Sequence, residues 1–367
     1  MNSVTKTISI LLPDLRGGGA ERVNISLAHE FTALGYEVEF VLMQAQGDFL
    51  KEVEQSFAIV DLAAPRVRNL PFALVKYICK RRPAVLIAAM WPLTVIAPIC
   101  ATLVGNRVKV LISEHGMLSN QYIAWGFVHN AMLKLSTCLG YRLAHKRVGV
   151  SMGVAQDMAA LSWMRPTSFD VIYNPVPAAV TPSNDAIKVA EKWWGVPPGG
   201  RILTVGNMKA VKNHPLLLRA FARVNRADGR LMFLGDGEGR DALLTLADDL
   251  GVTDRVIFPG FHRDPTPFYE TADLFVLSSN SEGFGNVLVE ALSCGIPVIS
   301  TDCPSGPAEI LDGGRFGQLV PVGDVEALAL AMSSALNLKP NFNDLKLRAA
   351  DFAPQIAAGK YLDLLSL

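Results

Sequence analysis

The sequence predicts an α/β protein of two domains, each a parallel sheet with helices on both faces. Short apolar strands alternate with helical stretches along the chain, and a proline-rich interruption falls near its middle. At 367 residues the chain is also long for a single core.

Taken in order, "TISILLP" is the first strand, and it runs through "DLRGGGAE" into the helical pattern "RVNISLAHEFTALG", stopped by glycine. "YEVEFVLM" is the next strand. A basic helix, "RVRNLPFALVKYICKRR", precedes the strand "PAVLIAAM". The uncharged run from Ala84 to Gly105 has about the length of a membrane span. It reads instead as a buried strand, a turn at Trp91–Pro92 and a buried helix broken at Pro98. "VKVLIS" then leads into "EHG", and "KRVGVS" into "MGVAQDMA".

Between Asn174 and Gly200 five prolines and three glycines interrupt this rhythm and mark a linker with a short helix inside it. The pattern restarts with the strand "RILTVGN" and the helix "HPLLLRAFARVN", followed by the strands "GRLMFLG", "RVIFPG", "ADLFVLS" and "PVISTD". The expected domains are 1–178 and 179–350, with 351–367 a last helix packing back toward the N-terminal domain. Ligands are expected where the strand C-termini of both sheets face a central cleft.

Half of the residues are hydrophobic and 19% charged, which excludes a disordered chain. Five scattered cysteines without a CxxC pair argue against a zinc site or a disulfide framework and fit a reducing compartment. The N-terminus has too short an apolar core for a secretory signal and meets Asp14 at once, so a cytosolic protein is expected. Net charge is zero, yet the segment from Leu62 to Gln156 holds twelve Lys/Arg against the single acid Glu114. Its basic helix, residues 66–82, mixes cations with aromatic and aliphatic residues, as interfacial helices do. The expectation is contact with an anionic membrane surface, with Leu74, Tyr77 and Ile78 entering the bilayer. No nucleic-acid-binding module accompanies these charges.

The chemistry concentrates in "SEGFGNVLVEALSCGIPVIST", residues 281–301. A strand ends, a glycine loop follows, and a helix begins, so the backbone N–H groups of Gly283, Phe284, Gly285, Asn286 and Val287 form a seat for a phosphate. Glu282 lies just before the seat and Glu290 about one and a half turns into the helix. A carboxylate accepts two hydrogen bonds and suits a pair of vicinal hydroxyls. Two of them around an anion seat suggest a sugar on one side of a diphosphate and a ribose on the other. In "GNMKAVKNH", Lys209 and Lys212 follow a strand of the same domain, where cations would neutralise a departing phosphate.

From about Arg201 to Leu311 these motifs resemble the retaining, metal-independent glycosyltransferases of family 4, which have the GT-B fold of two Rossmann-like domains. The pair Glu282/Glu290 stands at the family's E-x7-E spacing, and the stretch from Ser281 to Leu311 is similar to members that build bacterial surface glycans and lipid-linked oligosaccharides. The resemblance implies that Glu282 holds hydroxyls of the donor sugar, Glu290 the nucleotide ribose and Lys212 the diphosphate. It implies that the Gly260–Phe261 backbone lies near the base. Asn207 stands where the family usually has a diphosphate-clamping arginine, and an amide lacks that bidentate charged grip. Lys209 is the residue that would compensate. "LRGGGAERV" is similar to the family's glycine loop, in which Gly18 and Gly19 let the backbone approach the diphosphate. A dinucleotide fingerprint with Glu39 as its acid competes for this loop, but its third glycine position is Arg22. His115, at a strand's C-terminal end, matches a family histidine facing the reacting centre.

The implied activity is transfer of a hexose or N-acetylhexosamine from a UDP-sugar to a hydroxyl of a lipid-diphosphate-linked saccharide, with retention and without metal or other cofactor. The implied location is the cytoplasmic face of the plasma membrane. A UDP-sugar 2-epimerase of the same fold and a non-catalytic UDP-sugar-binding protein are the competing readings.

Overall fold

A computed structural model describes residues 6–224, 226, 228–337 and 342–367. The chain divides into two compact units, Met1–Pro175 with Pro354–Leu367, and Val176–Ala353. Residues 1–5, on which the reading of the N-terminus partly rests, lie outside the described residues, as does Asn225 at the expected end of its helix.

The first unit is built on β1 (Thr7–Leu12), β2 (Glu37–Leu42), β3 (Ala58–Asp61), β4 (Val85–Ala89), β5 (Lys109–Glu114), β6 (Lys146–Gly149) and β7 (Asp170–Val171). They pair in the order β3-β2-β1-β4-β5-β6-β7, all parallel. The chain builds outward from β1 in one direction, then returns to add β4 on the other side. Every residue of β4 is buried, which is why its sequence is an unbroken apolar run. The last helix, Pro354–Leu365, adds Ala357, Ala358, Tyr361 and Leu362 to this unit's core and packs on the helix Gly19–Ala33.

Two expectations change here, and the competing dinucleotide reading loses its acid. The helix Leu93–Leu103 runs through Pro98 without breaking. The proline forfeits one ladder hydrogen bond, and burial of Val95, Ala97, Pro98 and Ala101 outweighs that loss. The apolar side of the helix Leu70–Arg81 is core: Leu74, Tyr77 and Ile78 are buried and cannot enter a bilayer. Glu39, the acid of the competing dinucleotide reading, is buried beneath that helix. It accepts hydrogen bonds from Ser9 Oγ at 3.0 Å and from the Tyr77 hydroxyl, and pairs with Arg81 at 3.0 Å. With these partners it serves the core rather than a ribose. Among the described residues no helix is long and apolar enough to cross a membrane.

The second unit holds β8 (Arg201–Val205), β9 (Arg230–Leu234), β10 (Val256–Gly260), β11 (Leu274–Leu277), β12 (Val298–Thr301) and β13 (Gln318–Val320). Their order is β10-β9-β8-β11-β12-β13, again parallel. Strand order therefore reverses between β8 and β11, as it does between β1 and β4. In open parallel sheets such a reversal parts the loops that follow the strands and leaves a crevice at their C-terminal ends. Its position in the second unit decides which loops can form a site.

Candidate active site

The two loops flanking that reversal are the two that carry the sequence motifs. After β8, Gly206 to Lys209 lead into the single turn Ala210–Lys212. After β11, Ser278 to Gly285 lead into the helix Asn286–Cys294. The loops are bolted together by backbone and side chain. Asn280 N–H donates to the Val211 carbonyl at 2.8 Å, Ser278 Oγ to the Lys212 carbonyl at 2.9 Å, and Asn213 Nδ2 to Asn280 Oδ1 at 2.9 Å.

This clamp brings Lys212 Nζ to 2.7 Å from Glu282 Oε1, with the two side chains 18% and 10% exposed. The same oxygen accepts from Ser279 Oγ at 2.5 Å, and Thr301 Oγ1 donates to the Ser279 carbonyl at 2.6 Å. Glu282 is thus fixed in direction by groups from β8, β11 and β12. The glycine loop behind it is supported in turn by the segment after β12: Ser305 Oγ donates to the Gly283 carbonyl at 2.8 Å. Gly306 has φ +93°, and a Cβ there would fall 1.8 Å from the Phe284 carbonyl oxygen, so the support requires glycine.

Gly285 occupies the N-cap of the Asn286–Cys294 helix at φ +102°, and no side chain caps that end. Helix N-termini of this kind present N–H groups and positive partial charge to an anion. Glu290 lies four residues on from Asn286, about 6 Å along the axis. Its Oε2 accepts a 2.9 Å hydrogen bond from the hydroxyl of Tyr269, which is buried. Asn207 and Lys209 are exposed in the loop after β8. Gly260 ends β10 at φ +89°, its carbonyl accepting from Gly235 N–H at 2.9 Å, and Phe261 beyond it is 64% exposed. Beside the clamp, His214 packs edge-on against Phe233, and burial pushes its pKa down to about 4, leaving a neutral ring. A separate hollow lined by Val298, Arg315, Phe316 and Arg348 lies where β12 and β13 begin, the other end of the strands, and contains none of these groups.

The remaining predicted residues belong to the first unit. Gly18 is the N-cap and Gly19 the first residue of the helix that follows β1, with no side-chain cap. His115 follows β5. Its Nε2 is 3.3 Å from Ser113 Oγ, which also meets the Tyr361 hydroxyl at 3.0 Å. Its Nδ1 is buried and lacks a hydrogen-bond partner. Burial lowers the pKa to about 4, so the ring is a neutral hydrogen-bonding group. An orphaned polar atom of this kind is costly unless a ligand completes it.

Tyr269, Ser279, Ser305 and His214 are absent from the sequence-predicted set. Tyr269 and Ser305 act through tertiary contacts with Glu290 and Gly283 from separate segments, which no local spacing marks, whereas Ser279 lies three residues before Glu282 in the same loop and looks like an ordinary loop serine. His214 had a weak signal, its place two residues after Lys212.

A family model described as Glycosyltransferase Family 4 matches residues 17–180, and one described as Glycosyl transferases group 1 matches residues 199–337. Among relatives, the N-acetylgalactosamine-N,N'-diacetylbacillosaminyl-diphospho-undecaprenol 4-alpha-N-acetylgalactosaminyltransferase of Campylobacter jejuni is 28% identical over 94% of this chain and 92% of its own. The lipopolysaccharide core biosynthesis glycosyltransferase LpsE of Rhizobium meliloti is 33% identical over 57% of this chain and 58% of its own. Among solved structures, Anabaena Alr3699/HepE in complex with UDP superposes with a TM-score of 0.83 at 22% identity, covering 99% of this chain and all of that one.

Proposed function

The chain is a GT4-like glycosyltransferase of the GT-B fold, and from that premise we propose that it moves a hexose or N-acetylhexosamine from a UDP-sugar to a hydroxyl of a lipid-diphosphate-linked saccharide, with retention and without a metal. The observation that carries the reading is the convergence, at the strand-order reversal of the second unit, of the Lys212–Glu282 pair with the N-terminus, lacking a side-chain cap, of the helix that bears Glu290. The Rhizobium relative is named for lipopolysaccharide core biosynthesis, and the Campylobacter relative for transfer to a diphospho-undecaprenol-linked saccharide.

We assign the diphosphate to Lys212 and to the backbone from Gly283 to Val287, with Lys209 and Asn207 as polar neighbours. As the bond to the sugar breaks, negative charge grows on the leaving oxygen. An ammonium and oriented N–H groups stabilise it more than they stabilise the bound donor. Glu290, held by Tyr269, takes the ribose hydroxyls. Glu282 takes hydroxyls of the sugar and, paired with Lys212, links sugar and phosphate recognition in one ion pair. Phe261, exposed at the end of β10, and the Gly260 backbone take the base. Gly18 and Gly19 are assigned to the diphosphate, and His115 to a sugar hydroxyl through its unpartnered Nδ1. UDP is chosen because the superposing Anabaena structure holds it, and a lipid-diphosphate acceptor because the Campylobacter relative is named for one. Such an acceptor would place the enzyme at the cytoplasmic face of the membrane.

Thermal stabilisation by a panel of UDP-sugars selects the donor, and the best donor is then incubated with undecaprenyl-diphosphate saccharides. The expected product is an elongated lipid-linked saccharide with the anomeric configuration of the donor. Conversion of the UDP-sugar without any acceptor would replace the transferase reading with an epimerase. Binding without turnover on any acceptor would leave a non-catalytic binder.

A further inference from the structure

The helix Gly126–Leu143 is apolar on both sides. Leu133, Gly140 and Tyr141 are buried against the unit, as an inward face should be. The outward face carries Phe127, Val128, Met132, Leu135 and Leu139, from 56% to 89% exposed in the whole chain. Positions 128, 132, 135 and 139 have the four-three-four spacing of one helical stripe. Ile123 and Trp125, 72% and 49% exposed, continue it into the preceding turn, where Trp125 packs edge-on against Tyr122 and His129. A contiguous apolar surface of this extent is rare on a protein that stays free in water.

The charge around the stripe selects its occupant. The helix Leu93–Leu103 packs against it, and the helix Leu70–Arg81 packs against that one, so the three form one layer. Arg66, Arg68, Lys76, Lys80, Arg82 and Lys134 are exposed on or beside this layer. Glu39 beneath the helix Leu70–Arg81, Glu114 and Asp157 are all buried. The three helices of this layer contain no Asp or Glu, and cations surround the apolar strip. Two copies joined through it would bring like charges together, whereas an anionic bilayer accepts both features, headgroups for the cations and acyl chains for the strip.

We propose that this face docks the enzyme on an anionic lipid bilayer, with Trp125, Phe127, Leu135 and Leu139 entering the boundary between headgroups and acyl chains. This deepens the lipid-linked-acceptor reading by naming the surface that would meet the membrane. It also moves insertion from the helix Leu70–Arg81, whose apolar side is core, to a helix whose apolar side is bare.

The test is cosedimentation with phosphatidylglycerol/phosphatidylcholine vesicles, without donor or acceptor. Wild type should bind, keep part of its affinity in high salt, and bind pure phosphatidylcholine weakly. Phe127→Ser/Leu135→Ser/Leu139→Ser should lower affinity by about a hundredfold with unchanged UDP binding, since these side chains are already solvent-exposed. Lys76→Gln/Lys80→Gln/Arg82→Gln should remove the salt-sensitive part. Tryptophan quenching by brominated lipid should drop in Trp125→Phe. Absence of vesicle binding, equal binding by the triple-serine variant, or a wild-type dimer that the serines dissolve would each overturn the proposal. Vesicle binding together with failure to bind UDP would keep this surface and sink the nucleotide-sugar reading instead.

Discussion

Lys212 Nζ and Glu282 Oε1 lie 2.7 Å apart although seventy positions separate them in the chain. The pairing follows from sheet topology: β8 and β11 are neighbours, so the loops after them share one corner. At the proposed donor site this mostly buried ion pair would hold each side chain in place and keep the corner neutral before a diphosphate enters. Lys212→Met and Glu282→Gln should each cost about 1–3 kcal/mol of stability, and the double variant clearly less than the sum. Urea denaturation of the four proteins measures the coupling, and strict additivity would show that the contact contributes nothing.

Tyr269 holds Glu290 from a separate helix, Thr266–Glu270, by one 2.9 Å hydrogen bond. Tyr269→Phe keeps the packing and removes only the hydroxyl. At about 1.5 kcal/mol, the low end for a hydrogen bond to a charged group, UDP affinity should fall roughly tenfold. Calorimetric titration that finds no change would mean that Glu290 needs no positioning or does not meet the nucleotide.

Asn207 and Lys209 are both exposed in the loop after β8, so the loop has room for a longer side chain. Asn207→Arg should tighten UDP binding by about three- to tenfold through a bidentate grip on the diphosphate. Unchanged affinity would assign that place to Lys209, and Lys209→Ala in the Asn207→Arg background separates the two.

Most of the fold was legible because parallel strands buried on both faces and glycine-stopped helices leave local patterns, as in Val85–Ala89 and the loop from Ser281 to Asn286. What was not legible depended on contacts between distant segments. The period of the helix Leu70–Arg81 revealed an apolar side but not what it meets, and β1, β2 and the helix Leu93–Leu103 rather than lipid cover it. The exposed stripe on Gly126–Leu143 was hidden for the opposite reason, since a helix apolar on both sides shows no contrast. Glu282 and Glu290 were conspicuous as acids in an apolar run, whereas Tyr269 and Ser279, which orient them, resemble any other buried polar residue.

Stability should respond to pH through buried groups with opposite signs. Burial lowers His115 and His214 to about 4, so each contributes stability present above the unfolded value of about 6.5 and lost as pH falls toward 4. Burial raises Glu114 to about 7 despite hydrogen bonds from Thr94, Tyr141 and the Trp91 amide. Its contribution is present below the unfolded value and lost as pH rises through 7. Glu114→Gln, which cannot ionise, should therefore gain on wild type between pH 5 and pH 8, by at most about 3 kcal/mol. Denaturation midpoints that shift equally at both pH values would contradict a buried, late-ionising Glu114.

In the function proposed above, the corner built by β8 and β11 holds a UDP-sugar, with the two acids dividing ribose from sugar. Calorimetric titration of UDP into wild type, Glu290→Ala and Glu282→Ala, all in EDTA, tests it most directly. Wild type should bind without metal, Glu290→Ala should lose at least about tenfold, and Glu282→Ala should keep nearly unchanged UDP affinity and fail instead in sugar transfer. Binding that requires Mn²⁺, or equal loss of UDP affinity in both variants, would contradict it.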